Sequence, residues 1–432
     1  MSESFEKKTE QRRWAMHALT QVLSNQRMLD EALSDVPAAQ RAWVHEVVAG
    51  SLRWRGRLDW IIDQLSLKKK PTGGIRKALL IASYQLLNQP SVPQAWIVSE
   101  TVDWVRSKEG EAASKFVNAL LRRVSDHVES WRTLEWPESA PEAEQAQWAS
   151  LPEWIWRRIV RDHGREWAKS YALASLERPS FWIRSRQSVE GALQGPLADS
   201  WKLESWRPVQ DTPEYAAGGL FVQDISSQLL IREFTDEAIK LLGGTEGRQV
   251  LDLCAAPGGK SSGLAWNGWT VLATDRQADT RNSRARFELL IQTSERINGG
   301  NSGPGRIEVL DRSEIDGLSG QDAVWVDAPC TGSGLLRRHP EIRWIKDEKT
   351  LVSLQREQAA LLREAAIKVR PGGLLMFTVC SVLRSDELES AIRHAGLEEF
   401  EKVRDWSLSP HLEPRGDGFS GVLLRRRSVE PA

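Results

Sequence analysis

The chain of 432 residues has only three cysteines, Cys254, Cys330 and Cys380. So few, odd in number and widely spaced, they exclude a disulfide framework and point to a reducing compartment. Long apolar runs are missing too. No stretch approaches the ~18 residues of a membrane span, and the opening MSESFEKKTEQRR has no apolar core of signal-peptide length. A cytoplasmic protein with no membrane partner is expected. An excess of one charge is also absent: 58 Lys and Arg stand against 59 Asp and Glu, a formal net charge of −1. A polyanionic partner therefore has to be held by local basic patches rather than by overall basicity. Tyrosine is scarce, 3 residues against 20 tryptophans; most of the tryptophans are expected to pack, and any on the surface can stack on bases. No internal repeat or low-complexity tract occurs. What remains is a globular composition, 41% hydrophobic and 27% charged, in a chain long enough for two or three cores.

The apolar pattern changes along the chain. From Arg12 to Val128 apolar residues recur every three or four positions, in Ala15–Leu23, Val44–Leu52, Leu58–Leu65, Ile75–Leu87 and Phe116–Val124, which predicts an all-α domain over 1–130. Turn signals at Pro71-Thr72-Gly73-Gly74 and Pro90 to Pro93 separate its helices. The stretch Trp136-Pro137-Glu138-Ser139-Ala140-Pro141 and the acidic run to Ser150 read as a linker over 131–150. Residues 151–235 read as a small α+β module, with a helix near Pro152, a strand around Phe181–Arg186 and a helix near Ser226–Phe234. After Gly247, short apolar strands at Val250–Cys254, Thr270–Thr274, Arg306–Leu310, Ala323–Val326 and Leu374–Val379 alternate with helical stretches or loops, notably Leu351–Val369. This predicts a doubly wound α/β domain over 236–432 whose ligand site lies at the carboxyl ends of its strands.

The chemistry-bearing residues fall at those strand ends. Leu251-Asp252-Leu253-Cys254-Ala255-Ala256-Pro257-Gly258-Gly259-Lys260-Ser261 runs off the first strand into a helix; its small residues let a cofactor approach the backbone, and the helix start offers N–H groups to an anion. The spacing fits neither a Walker loop nor a plain Gly-x-Gly-x-x-Gly. Asp275 ends the next strand, where a carboxylate can accept two ribose hydroxyls; helix capping is the plain alternative, and the glycine loop beside it favours the ribose. Asp311 ends a third strand. Asp327-Ala328-Pro329-Cys330 and Val379-Cys380-Ser381 place two thiols at two further strand ends. One such cysteine would ordinarily be a small buried apolar residue; two beside a cofactor loop favour catalysis.

Together these elements resemble the bacterial RNA cytosine methyltransferases that act on carbon 5. Gly219-Leu220-Phe221-Val222-Gln223-Asp224-Ile225-Ser226-Ser227-Gln228, Arg337-Arg338-His339-Pro340-Glu341-Ile342-Arg343-Trp344 and Gly416-Asp417-Gly418-Phe419 match further segments of that family. Ala78–Leu87, Val92-Pro93 and Phe116-Val117-Asn118-Ala119-Leu120-Leu121-Arg122-Arg123 resemble the NusB-like helical domain, a pairing that marks the 16S rRNA methyltransferases often called the Sun/RsmB family. Nearly the whole chain is covered. The resemblance implies a multidomain protein with a NusB-like RNA-binding domain, a small RNA-binding module and a Rossmann-like domain. It implies S-adenosyl-L-methionine as cofactor, held by Cys254, Ala255, Ala256, Pro257, Gly258, Gly259, Lys260, Asp275, Asp311 and Asp327. It implies catalysis by Cys380, Cys330, Asp327 and Lys260, with Cys380 the nucleophile, Asp327 beside the ring nitrogen and Cys330 serving the elimination.

Arg337, Arg338, His339 and Arg343 after the first thiol, with Arg184 and Arg186, form an expected phosphate track, whereas Arg425-Arg426-Arg427 reads equally as a solvated face. The expected partner is 16S rRNA or a small-subunit assembly intermediate; the protein is expected to be a monomer without a metal. Three places depart from the family pattern: Arg184-Ser185-Arg186 for Arg-Val-Asn, Val379 for threonine, and Leu383-Arg384-Ser385-Asp386-Glu387 for a Leu-Pro-Glu-Glu-Asn segment. A non-catalytic RNA-binding factor of antitermination type is disfavoured by retention of both thiols, Lys260 and the strand-end aspartates. DNA cytosine methylation is disfavoured by the helical domain and Cys380.

Overall fold

The computed structural model describes residues 2–66, 70–133, 135–205, 208–276, 281–300 and 303–428. The chain divides into two units, Met1–Arg178 with Leu336–Asp347, and Pro179–Leu335 with Glu348–Ala432.

The first unit is helical throughout its described residues. Its principal helices are Ser2–Asn25, Ala38–Leu65, Gly73–Asn88, Gln94–Glu109 and Glu111–Asp126. Their three- and four-residue apolar spacing puts Val44, Val47, Val48, Leu52, Leu79, Ile81, Val117 and Leu121 into one core, each fully or almost fully buried. The segment expected as a linker is instead part of this unit. It carries the helices Val128–Arg132 and Glu142–Trp148; Trp148 is buried and meets the edge of Trp60 at 5.2 Å between ring centroids. The buried Gln145 amide donates to the carbonyls of Glu138 and Ala140, both at 3.0 Å. Proline and acidic residues suggested solvation, but the tryptophan face and the bonded glutamine hold the segment down. The helices Glu153–His163 and Arg165–Ser175 also belong here, so the boundary falls at 178 rather than 150.

The second unit contains two sheets. The smaller is antiparallel in the order β2-β3-β1-β4, built from β1 (Phe181–Ser185), β2 (Ala192–Gln194), β3 (Ser200–Leu203) and β4 (Leu220–Val222). The helix Ile225–Leu242 leads to β5 (Gln249–Asp252), β6 (Thr270–Ala273), β7 (Arg306–Val309), β8 (Gln321–Asp327), β9 (Val369–Val379), β10 (Phe400–Leu408) and β11 (Phe419–Arg426). These form a seven-stranded sheet in the order β10-β11-β9-β8-β5-β6-β7. The five strands from β5 to β9 run parallel, and the hairpin β10-β11 closes one side antiparallel. From β5 the chain winds one way to β6 and β7, then returns to β8 and β9 on the other side. The strand order therefore reverses between β5 and β8, the position at whose carboxyl ends folds of this kind bind their ligands. The buried faces of Val250, Leu251, Val324, Trp325, Leu375 and Phe377 explain why these strands read as continuous apolar runs.

Candidate active site at the reversal of the large sheet

β5 ends at Asp252, which is fully buried. Ser261 donates its hydroxyl to Oδ2 at 2.7 Å and the Cys254 N–H reaches Oδ1 at 3.3 Å. Burial, reinforced by the charge of Asp327, pushes the Asp252 carboxyl up to about 7 despite those donors. The chain then turns through residues 253–258 into the helix Gly259–Trp266. Gly258 sits at φ 103, and a Cβ there would meet Thr293 at 2.9 Å, so only glycine makes this turn without strain. A Cβ at Gly259 would meet nothing within 4 Å, leaving open space at the helix start. Asp275, just past β6, accepts the Ala256 N–H at 2.8 Å, and Arg286 donates to the Ala256 carbonyl at 2.6 Å. The loop is thus held from both sides. Burial raises the Asp275 carboxyl, opposed by the Ala256 N–H.

Lys260 projects from the first turn of that helix to Asp327 at the end of β8, Nζ to Oδ2 2.5 Å. Thr378 of β9, the register partner of Asp327, donates to its other oxygen at 2.9 Å. Trp325 Nε1 in turn donates to Thr378 at 3.2 Å. The Lys260 ammonium also lies 4.7 Å from the Phe419 ring centroid. Burial alone would lower the Lys260 pKa; the Asp327 carboxylate outweighs it, helped by Cys380 and Asp252, and holds the ammonium above its usual range.

Because Asp327 and Thr378 pair in register, Cys330 and Cys380 follow from the ends of adjacent strands. Cys330 is buried and Cys380 half-buried; both border one apolar cluster, with Cys254. Burial, with Asp275 and Asp252 near, drives the Cys254 thiol well above its ordinary value, so it stays protonated and unreactive at neutral pH.

The loops carrying the two thiols are joined beneath. Glu387, fully buried, accepts the Thr331 N–H at 2.7 Å and the Thr331 hydroxyl at 2.5 Å. Gln358 donates to the Pro329 carbonyl at 2.9 Å, and the Ser333 and Ser381 hydroxyls lie 2.8 Å apart. Gly334 donates to the Cys380 carbonyl at 3.0 Å and accepts the Gly418 N–H at 2.8 Å. A Cβ at Gly334 would lie 1.9 Å from the Gly418 carbonyl oxygen, which demands glycine for that close approach. Asp224 accepts the N–H groups of Ser226 and Asp417, both at 2.9 Å, so the separate family segments around 224, 330, 380 and 417 meet at one place.

The strand ends thus bring together Asp252, Lys260, Asp327, Cys330 and Cys380. Sequence reasoning missed Thr378, an ordinary strand residue by its pattern, and Glu387. The one signal for Glu387 was the departure at Leu383–Glu387, where an acid stands for the family's amide. Asp311 lies past β7, exposed, in a reciprocal capping box with Glu314.

The arginine track needs correction. Arg343 is fully buried in the helical unit, where its guanidinium donates to the carbonyls of Arg53, Ser150, Ser175 and Leu336. Burial lowers its pKa to about 9. Arg337 is also buried, and its carbonyl accepts from Arg53. Arg184 is 1% exposed and paired with Asp199 at 2.8 Å. Such side chains present no charge to a phosphate. Arg338 and Arg186 are exposed, the latter bonded to the Trp266 carbonyl and 4.5 Å from its ring centroid. His339 lies 3.4 Å from Glu341.

Among the described residues no His, Cys, Asp and Glu cluster could hold a metal, and no helix is long and apolar enough to cross a membrane. A doubly wound sheet with a glycine loop and strand-end acids at its reversal, and open space at Gly259, suits a nucleoside cofactor with an anionic tail. This is an S-adenosylmethionine-dependent methyltransferase. Residues 239–416 match the family described as 16S rRNA methyltransferase RsmB/F, and residues 9–126 match the NusB family. "Ribosomal RNA small subunit methyltransferase B" of Citrobacter koseri is 27% identical over 89% of this chain and 90% of its own length. The protein of that name from Yersinia enterocolitica is 26% identical over 96% and 98%. The crystal structure of PH0851 superposes with a TM-score of 0.66 at 21% identity, covering 96% of this chain and 98% of that one. NSun6 from Pyrococcus horikoshii, solved with SFG, gives 0.51 at 16% identity over 64% and 99%; at these identities both show the fold. The chain thus joins a stretch that matches the RsmB/F family of 16S rRNA methyltransferases to a NusB-family stretch ahead of it.

Proposed function

We propose that the chain methylates carbon 5 of a cytosine in 16S rRNA through a covalent bond between Cys380 and carbon 6. The observation that carries this reading is the pair of thiols at the ends of adjacent strands, next to the Lys260–Asp327 ion pair. The names of the curated relatives support the rRNA. Residues 254–260 with Asp275 and Asp311 are assigned to the cofactor, which when bound supplies the methyl group.

Carbon 5 of cytosine is a poor nucleophile. Addition of the Cys380 thiolate to carbon 6 forms the S–C bond and moves the ring electron pair toward carbon 5, with a proton taken up at ring nitrogen 3. Asp327, paired with Lys260, is the carboxylate that stabilises the protonated ring. Once carbon 5 carries the methyl group, its proton leaves to Cys330. The double bond between carbons 5 and 6 reforms, the S–C bond breaks, the thiolate of Cys380 returns and nitrogen 3 gives up its proton. The target base has to leave its stack to reach these groups. Arg338 and Arg186 are the exposed arginines of the expected track and are assigned to the phosphates. We assign the protein to the cytoplasm as a monomer.

The test uses wild-type protein, Cys380→Ala and Cys330→Ala with 16S rRNA and cofactor. Wild type should yield 5-methylcytosine in the nucleoside hydrolysate. Cys380→Ala should yield neither product nor adduct, whereas Cys330→Ala should accumulate a protein–RNA adduct that survives denaturing electrophoresis. An adduct with Cys380→Ala alone would move the nucleophile to Cys330. A different methylated nucleoside from the wild type would end the carbon-5 assignment.

A further inference from the structure

The helical unit contains a basic cavity that the methyl-transfer site does not use. Its volume is about 410 Å³, within the ~300–1,000 Å³ common for ligand sites, and its walls include Arg53, Trp54, Arg57, Tyr84, Glu177 and Arg178. Three guanidiniums thus face one lining carboxylate. Arg57 is the unusual member. It lies 5.2 Å from the Trp54 ring centroid and 4.9 Å from that of Trp148, and its Nε donates to the Trp148 carbonyl at 2.8 Å. Among the described residues no carboxylate pairs with it. Burial alone acts on it, lowering its pKa to about 10, so it stays charged. A largely buried cation without a counter-charge is costly, and a cavity at its side gives that counter-charge a place to bind.

The other two arginines are arranged differently. Arg53 is buried and donates through Nε and Nη2 to the Arg337 carbonyl, at 3.2 and 2.7 Å. Arg178, at the rim with a side chain 67% exposed, pairs with Glu46. Glu46 also accepts the Tyr84 hydroxyl at 2.9 Å. Glu46 therefore competes with any incoming anion for Arg178. A guanidinium fork matches phosphate oxygens, and its contact with tryptophan faces leaves it weakly hydrated.

We infer that this cavity is a phosphate-binding site that holds the backbone of the RNA substrate, with Arg57 and Arg178 as its ligands. The inference rests on the reading that the substrate is RNA. It places a contact for the nucleic acid on the helical unit, at residues that no sequence motif marked.

Fluorescence anisotropy of the full-length protein with a labelled 16S rRNA transcript, over a series of KCl concentrations, tests it. Arg57→Gln should weaken binding ~3- to 10-fold and flatten the slope of log affinity against log salt by about one. Glu46→Gln keeps an acceptor for Tyr84 and releases Arg178, so it should tighten binding and steepen the slope. Loss of a merely structural contact would not tighten it. Cofactor affinity by calorimetry should stay at the wild-type value in both. Should Arg57→Gln fail to fold, Glu46→Gln and Arg178→Gln decide, with tightening and weakening expected respectively. If the wild type binds and methylates rRNA while the folded variants keep its affinity and slope, the cavity is not an RNA site. If only inorganic phosphate binding responds to the substitutions, that also overturns the inference. Absence of rRNA binding by the wild type would instead remove the RNA reading itself.

Discussion

Asp252 joins the glycine loop to the sheet at a cost that depends on pH. Its carboxyl is raised to about 7 by burial and the neighbouring Asp327, against ~3.9 in an unfolded chain. The native state thus holds this proton more tightly than the unfolded one. The stability from that protonation is complete below about pH 4 and is lost as pH rises through about 7. Replacing Asp252 by Asn, which cannot ionise, should remove this part of the pH dependence. In calorimetric melts, the Tm of the wild type minus that of Asp252→Asn should fall between pH 4 and 7 and then level off; a constant difference would show that the carboxylate does not titrate there. The same residue scale shows what side-chain type reveals. The acids and thiols were legible because they stand at strand ends, where side chains of a doubly wound sheet meet a ligand. Arg184, Arg337 and Arg343 were misread because charge, and for the last two sequence proximity to Cys330, says nothing about burial.

At the scale of elements, β8 and β9 fix the spacing of the thiols only as far as the loops beyond them stay together. Glu387 supplies that tie by binding Thr331, one residue past Cys330, through both a backbone and a side-chain donor. Burial raises its carboxyl, opposed by the hydroxyls of Ser381 and Thr331, so it is matched to these donors rather than to solvent. Glu387→Ala would leave the Thr331 donors unpaired in a buried place, at about 1–3 kcal/mol each. Methylation should slow at least ~10-fold, since small misplacement of reacting groups has effects of that order, with cofactor affinity by calorimetry unchanged. A full turnover rate in a folded Glu387→Ala protein would show that the loops keep their places without it. Glu387 was visible in the sequence only as a departure from a pattern, because its partner lies 56 residues away.

For the whole molecule, the segment Leu336–Asp347 matters most: it interrupts the catalytic unit in sequence and belongs to the helical one. There Arg343 caps four carbonyls and Trp344 Nε1 donates to the Leu52 carbonyl at 2.8 Å. A catalytic fragment beginning at Pro179 would carry this segment without its cover, exposing Trp344 and leaving the Arg343 guanidinium without three of its four acceptors. Such a fragment should aggregate or lose cofactor binding, whereas a fragment in which 336–347 is replaced by a short Gly-Ser link should be soluble and bind S-adenosylmethionine. Size-exclusion chromatography and calorimetry on the two fragments check this; equal behaviour would show that the segment needs no cover. The sequence by itself determined the alternation of strands and helices, the glycine loop, and the acids and thiols at the strand ends, because periodicity and residue type are local properties. Only the tertiary structure decided that the proline-rich stretch before Ser150 is packed, that the first unit ends at 178, and which arginines face solvent, because burial depends on partners far apart in the chain.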